Sequence, residues 1–238
     1  MKTANIILIL LACVIVFFTA CKLNMPSTTT ELIVMRDVTE NQLAVLSAEE
    51  IYLLTHLTDK WNGATVVFTD LTDVSLNNVK EINIAPANNW LSNEPERDRE
   101  VAKFKTQLFL LVSSFQQDTV GRSHSSIYLP IARELNKLSK SNADKKILVI
   151  YSDLMENEPD FSFYSKEKFQ LLKTNPDSVE NIFSHEQPLN SLSGIEVHFV
   201  FQPKDAFADA QYKLVFAFYK NMLEKHGATV YLGANLTD

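Results

Sequence analysis

The sequence predicts an α/β fold: a doubly wound, mostly parallel sheet with one antiparallel edge strand and helices on both faces. Three observations lead there. Short apolar, β-branched runs alternate along the chain with stretches of helical periodicity, and residues 146–151 (KILVIY) are the strongest of those runs. The Asn62-Gly63 turn signal and the polar stretch 69–78 frame two strand-like runs that suit a hairpin. A composition of 46% hydrophobic and 21% charged residues is that of a globular domain, which excludes collagen, coiled coil and wholesale disorder.

Taken in order, residues 31–36 (ELIVMR) form a buried strand followed by the polar run Asp37-Val38-Thr39-Glu40-Asn41. Ser47-Ala48-Glu49-Glu50 reads as a capping box that opens a helix with Ile51, Leu54 and Leu57 facing inward. Residues 64–68 and 79–84 are the two hairpin strands. The charge run 93–100 (NEPERDRE) is expected as a solvated loop and helix start, leading into a helix through Val101, Phe104, Leu108, Leu111, Val112 and Phe115. After the break at residues 121–126 a helix resumes over 127–138, with Pro130 in its first turn, where proline is tolerated. The central strand 146–151 follows. Residues 156–193 are the least periodic part, with one helix near 165–173. A strand at 194–201, an amphipathic helix at 206–226 and a last strand at 228–232 complete the body. The aromatics Phe199, Phe201, Phe207, Tyr212, Phe216, Phe218 and Tyr219 fall at strand and helix spacing and are expected in the core.

Residues 1–20 have the three regions of a secretory signal: Lys2, an apolar run over 6–18, and small Thr19 and Ala20 before Cys21. The run is shorter than the roughly 20 residues that span a bilayer. Phe18-Thr19-Ala20-Cys21 resembles the lipobox of bacterial lipoproteins, which implies that Cys21 is acylated and becomes the first mature residue. Residues 21–30 then form the lipidated cysteine and a flexible tether, and 31–238 one domain. Cys13 lies inside the signal, so the mature domain has no pair of thiols for a disulfide. Lys22 after the cysteine, by resemblance to lipoprotein sorting, favours the outer membrane, with the domain facing the periplasm. The net charge of −7 argues against nucleic acid as a partner.

In sheets of this kind ligands bind at the carboxyl ends of the strands. Three polar loops compete for that place: residues 37–41 after the first strand, 123–126 before a helix, and Ser152-Asp153 after the strongest strand. Two carboxylates with hydroxyl and amide oxygens suit a small, hard divalent cation such as Mg²⁺. The arrangement resembles the von Willebrand factor A domain and its metal-ion-dependent adhesion site. In that family an Asp-x-Ser-x-Ser motif follows the first strand, a Thr comes from a later loop and an Asp follows the fourth strand. By that resemblance Asp37, Thr39, Asn41, Ser125 and Asp153 are the candidate metal ligands. Ser125-Ser126-Ile127 and residues 194–198 (GIEVH) match two further stretches of the family pattern. Asn41, Ser125 and Leu154 depart from it, standing where the family has a hydroxyl residue, Thr and Gly. The alternative use of Asp37 and Ser125 is to cap free amides at helix starts.

The resemblance implies a lipid-anchored, non-enzymatic module that holds a divalent cation and engages a protein partner through an acidic side chain. A metal-free scaffold lipoprotein is the second reading, and an envelope serine hydrolase using Ser125 or Ser123 a remote third. Gly121-Arg122-Ser123-His124-Ser125 lacks the preceding strand and the final glycine of a nucleophile elbow. The histidines have no HxxxH spacing, and no GxGxxG or Walker pattern occurs. Asp70, Asp73, Asn77 and Asn78 are read as turn residues rather than a Ca²⁺ loop.

Overall fold

The computed structural model describes residues 27–37, 45–71, 79–89, 92–117 and 125–236. Their elements run β1 (Thr29–Asp37), α1 (Ala48–Leu54), β2 (Gly63–Leu71), β3 (Lys80–Ile84), α2 (Glu94–Gln117), α3 (Tyr128–Leu138), β4 (Lys145–Tyr151), α4 (Lys166–Thr174), α5 (Pro176–Glu186), β5 (Ile195–Val200), α6 (Ala206–Lys225) and β6 (Thr229–Gly233). The signal segment, Cys21 and most of the tether lie outside the described residues. Among the described residues no helix is long and apolar enough to cross a membrane.

The strands form a six-stranded sheet in the order β3-β2-β1-β4-β5-β6. All neighbours are parallel except β2 and β3, which pair antiparallel at one edge. The predicted Rossmann-like α/β architecture is therefore the one observed. The winding reverses between β1 and β4, and that is the topological switch point of the sheet.

Two layers of helices follow from the period of two along each central strand. On β1, Ile33 and Met35 pack with α3, α5 and α6, while Leu32 and Val34 pack with α1 and α2. The next two residues keep the alternation with polar groups. Arg36 turns toward α2, whose Phe115 carbonyl accepts from its guanidinium, and Asp37 turns toward the loop before α3. The Arg36 charge also pairs with Asp70, its register partner on β2, at 3.0 Å, and covers the Phe115 ring at 4.2 Å. A cation at the end of α2 complements the negative pole of that helix. Asp70 is thus a strand residue, not a turn residue; Asp73, Asn77 and Asn78 lie outside the described residues.

Several boundaries differ from the sequence expectation. Thr29 and Thr30 belong to β1 rather than to the tether, because β2 pairs with both and β4 with Thr30, and Thr30 is buried. β2 runs on to Leu71. The 93–100 run is helical from Glu94 onward. Two glutamates stand in its first turn, favourable at a helix N-terminus, and Arg97 is only 3% exposed because it donates to the Lys60 and Asn62 carbonyls. The aperiodic stretch holds two helices, α4 as expected and α5 in addition. Asn175 caps α5 by accepting from the Ser178 amide, and Pro176 takes its first position. Ser47 caps α1 as expected, accepting from the Glu50 amide at 3.3 Å. Leu57 is buried beyond the end of that helix. Of the aromatics expected in the core, Phe207 is the exception at 72% exposed.

Candidate functional site at the carboxyl ends of β1 and β4

Asp37 is the last residue of β1 and is 1% exposed. A carboxylate so deep requires donors. Ser152, the first residue after β4, donates from Oγ to Asp37 Oδ2 at 3.0 Å. Ser125 Oγ lies 3.4 Å from both carboxylate oxygens. Both serines are themselves buried. Asp37 and Ser125, distant in sequence, are thus brought together.

The segment after β4 builds this arrangement. Its Asn157 exchanges two backbone hydrogen bonds with Ser125, at 2.9 and 3.2 Å, which fixes the loop ahead of α3 against the sheet end. Its Glu156 reaches under α3, where Ile127 provides no side-chain cap. The Ile127 and Tyr128 amides donate to the Glu156 carboxylate at 3.0 and 2.8 Å. Glu156 is 4% exposed, and burial pushes its carboxyl up to about 8 in spite of those two amides. At the start of α3 the helix-capping role open to Ser125 in the sequence is carried out by Glu156; the segment that follows Asp37 lies outside the described residues.

Asp153 is half-buried, and its Oδ1 accepts from the Met155 amide at 2.9 Å in an Asx turn. Leu154, standing where the resembled family has glycine, takes a left-handed conformation, φ +61°. Its side chain is fully buried. Packing of that side chain offsets the ~1–2 kcal/mol that a Cβ costs in this backbone region. Glycine was therefore the backbone requirement, met here by leucine at a cost.

Thr39 and Asn41 lie outside the described residues, as do Ser123 and His124. Among the described residues no group of three His, Cys, Asp or Glu side chains is placed to hold a metal. Glu156 and Asn157 are the contributors that sequence reasoning missed, and Ser152, placed in a candidate loop, was not counted among the ligands. Ser152 had a signal, as a hydroxyl directly after the strongest strand; Glu156 and Asn157 sit in an aperiodic stretch and had none.

Asp153 also borders a groove of about 820 Å³ between α4, α6 and the loop after β5. Its walls are largely apolar and include several aromatic rings, among them the exposed Phe207 and Tyr164.

No family model matches this chain. No curated protein matches it either. Among solved structures, the D319A mutant of the PilB minor pilin from Streptococcus sanguinis is similar over 90% of this chain and 59% of that one, with a TM-score of 0.48 and 9% identity.

Proposed function

We propose that this chain is a lipid-anchored, envelope-facing protein-binding module of von Willebrand factor A type, with a degenerate metal-ion-dependent adhesion site. The observation that carries this reading is the convergence of two hydroxyls, from Ser125 and Ser152, on the buried Asp37 carboxylate at the switch point of the sheet. The oxygen donors suit a hard cation, and hydroxyl rotors can turn their lone pairs toward one. Asp37 and Ser125 would hold Mg²⁺, with Thr39, Asn41 and Asp153 as the further ligands that the family resemblance implies. The cation would supply a coordination position for an acidic side chain of a partner protein. The reading is non-enzymatic: the Ser125 hydroxyl donates to a buried carboxylate that is itself offered as a metal ligand. Acyl chains on Cys21, each buried methylene contributing about 0.8 kcal/mol, would keep the module on the membrane, in the outer membrane by its Lys22.

A metal-free scaffold is the second reading. It is favoured by the Asx turn that engages Asp153 and by the two serines, which already satisfy Asp37. Thermal melts of the full chain in EDTA, then in Mg²⁺, Ca²⁺ and Mn²⁺, separate the two. A cation at about 100 times its dissociation constant adds roughly 2.7 kcal/mol, a rise of about 5–10 °C at this size. A cation-specific rise that Asp37→Ala removes supports the adhesion site. Absence of any rise leaves the scaffold.

A further inference from the structure

The aromatic groove beside Asp153 has the composition of a ligand site rather than of a gap in packing. Its floor includes Phe163, Phe201 and Tyr212, all buried, with the Phe201 and Tyr212 rings 4.6 Å apart. Tyr212 is 4% exposed, and its hydroxyl is buried with no hydrogen-bond partner among the described residues. That hydroxyl lies beneath the groove surface, so Tyr212 offers the groove its ring. Burial, with Asp153 nearby, raises the phenol far above its ordinary range, so it remains an O–H donor at all physiological pH values.

The rim supplies charge of one sign. Lys166, Lys173 and Lys204 border the groove against the single carboxylate of Asp153. Lys173 lies over the Phe169 ring at 4.9 Å. Lys166 and Lys204 are exposed and make no ion pair among the described residues. On a chain of net charge −7 this local excess of cations runs against the overall balance. A volume of about 820 Å³ falls within the range typical of small-molecule sites, with apolar walls and a few fixed polar groups.

We propose that this groove binds a small amphipathic carboxylate, its apolar body against Phe163, Phe201 and Tyr212 and its anionic head toward Lys166 and Lys204. The site is independent of a cation at Asp37 and goes beyond the adhesion reading. Calorimetry in EDTA on the full chain in lipid nanodiscs, with empty nanodiscs as blank, tests it with four probes. Phenylbutyrate, phenylbutanol and phenylbutylamine share one body and differ in head group; acetate has the head group alone.

The expected result is saturable binding of phenylbutyrate at one site per chain, about tenfold tighter than phenylbutylamine, with no binding of acetate. Lys166→Glu combined with Lys204→Glu then abolishes the preference for the anion without lowering the melting temperature, since both side chains are solvated. Failure of phenylbutyrate to saturate, equal binding of the three aromatic probes, or preference for the amine overturns the proposal. The presence of EDTA makes each of these outcomes separate from the fate of the metal site.

Discussion

Asp37 and Glu156 are buried almost equally, 1% and 4% exposed, at the same end of the sheet, yet their oxygens are satisfied by different kinds of donor. Asp37 accepts from side-chain hydroxyls, which rotate. Glu156 accepts from the first amides of α3, which the helix holds in place. A carboxylate that accepts from a hydroxyl can exchange that partner for a cation or a ligand; one held by the amides of a helix start is part of the frame. Burial alone does not distinguish a functional acid from a structural one. The mobility of its donors does.

The sharpest way to break this comparison is to remove each acid in turn. Glu156→Ala leaves two amides at the start of α3 without their acceptor and is expected to destabilise the fold by about 2–4 kcal/mol. Denaturant unfolding measures it, and a loss below about 1 kcal/mol would show that water replaces the cap. Asp37→Ala leaves the Ser125 and Ser152 hydroxyls without this acceptor, and hydroxyls can turn to other partners, so its expected cost is smaller, about 1–2 kcal/mol. Its main effect is loss of the cation-dependent rise in melting temperature. Should Glu156→Ala abolish that rise while Asp37→Ala spares it, the roles assigned to the two acids are reversed.

The pH response sharpens the comparison further. Glu156 carries a folded pKa of about 8 against an ordinary 4.5. Between those values the unfolded chain binds fewer protons than the folded one, so stability falls as pH rises. The contribution is present in full below pH 4.5 and is lost as pH passes through about 8. Glu156→Gln keeps a carbonyl acceptor for the helix amides and should flatten this slope in melting curves taken across the window. A weaker slope of the same sign remains from Glu186, whose carboxyl is also raised by burial and by Glu158. An unchanged slope in the glutamine variant would place the titration elsewhere.

Smaller effects are expected at the edges of the site. Leu154→Gly relieves the left-handed strain but removes a fully buried side chain, and since leucine truncation typically costs 2–5 kcal/mol, a net loss of about 1–2 kcal/mol is expected. A gain in stability would mean that strain outweighs packing there. Cys21→Ala should leave the melting curve unchanged and move the chain from the membrane fraction to the soluble one. Retention in the membrane would exclude acylation at Cys21 as the anchor.

Much of this architecture was legible in the residues. The central strand of residues 146–151, the capping box at Ser47 and the helix 206–226 carry local signals strong enough to survive any tertiary context. The site was legible in part, since Asp37 and Ser125 follow from the order of elements and their polar loops. Glu156, Asn157 and the burial of Arg97 were not legible, because each depends on a partner far away in the chain. Phe207 was misassigned for a related reason. Its helical spacing matches its buried neighbours, but it lies in the first turn of α6, where it borders the groove.

The sequence by itself determined the alternation of strands and helices, the central position of β4 and the acidic, oxygen-bearing ends of its strands. Those are consequences of local periodicity and composition. Only the tertiary structure decided which oxygens meet. The reversal between β1 and β4 brings Asp37 beside Ser152, and the bridge from Asn157 brings Ser125 to both. Hydrogen bonds act over about 3 Å, and in a parallel sheet the groups that close such distances come from crossovers dozens of residues apart.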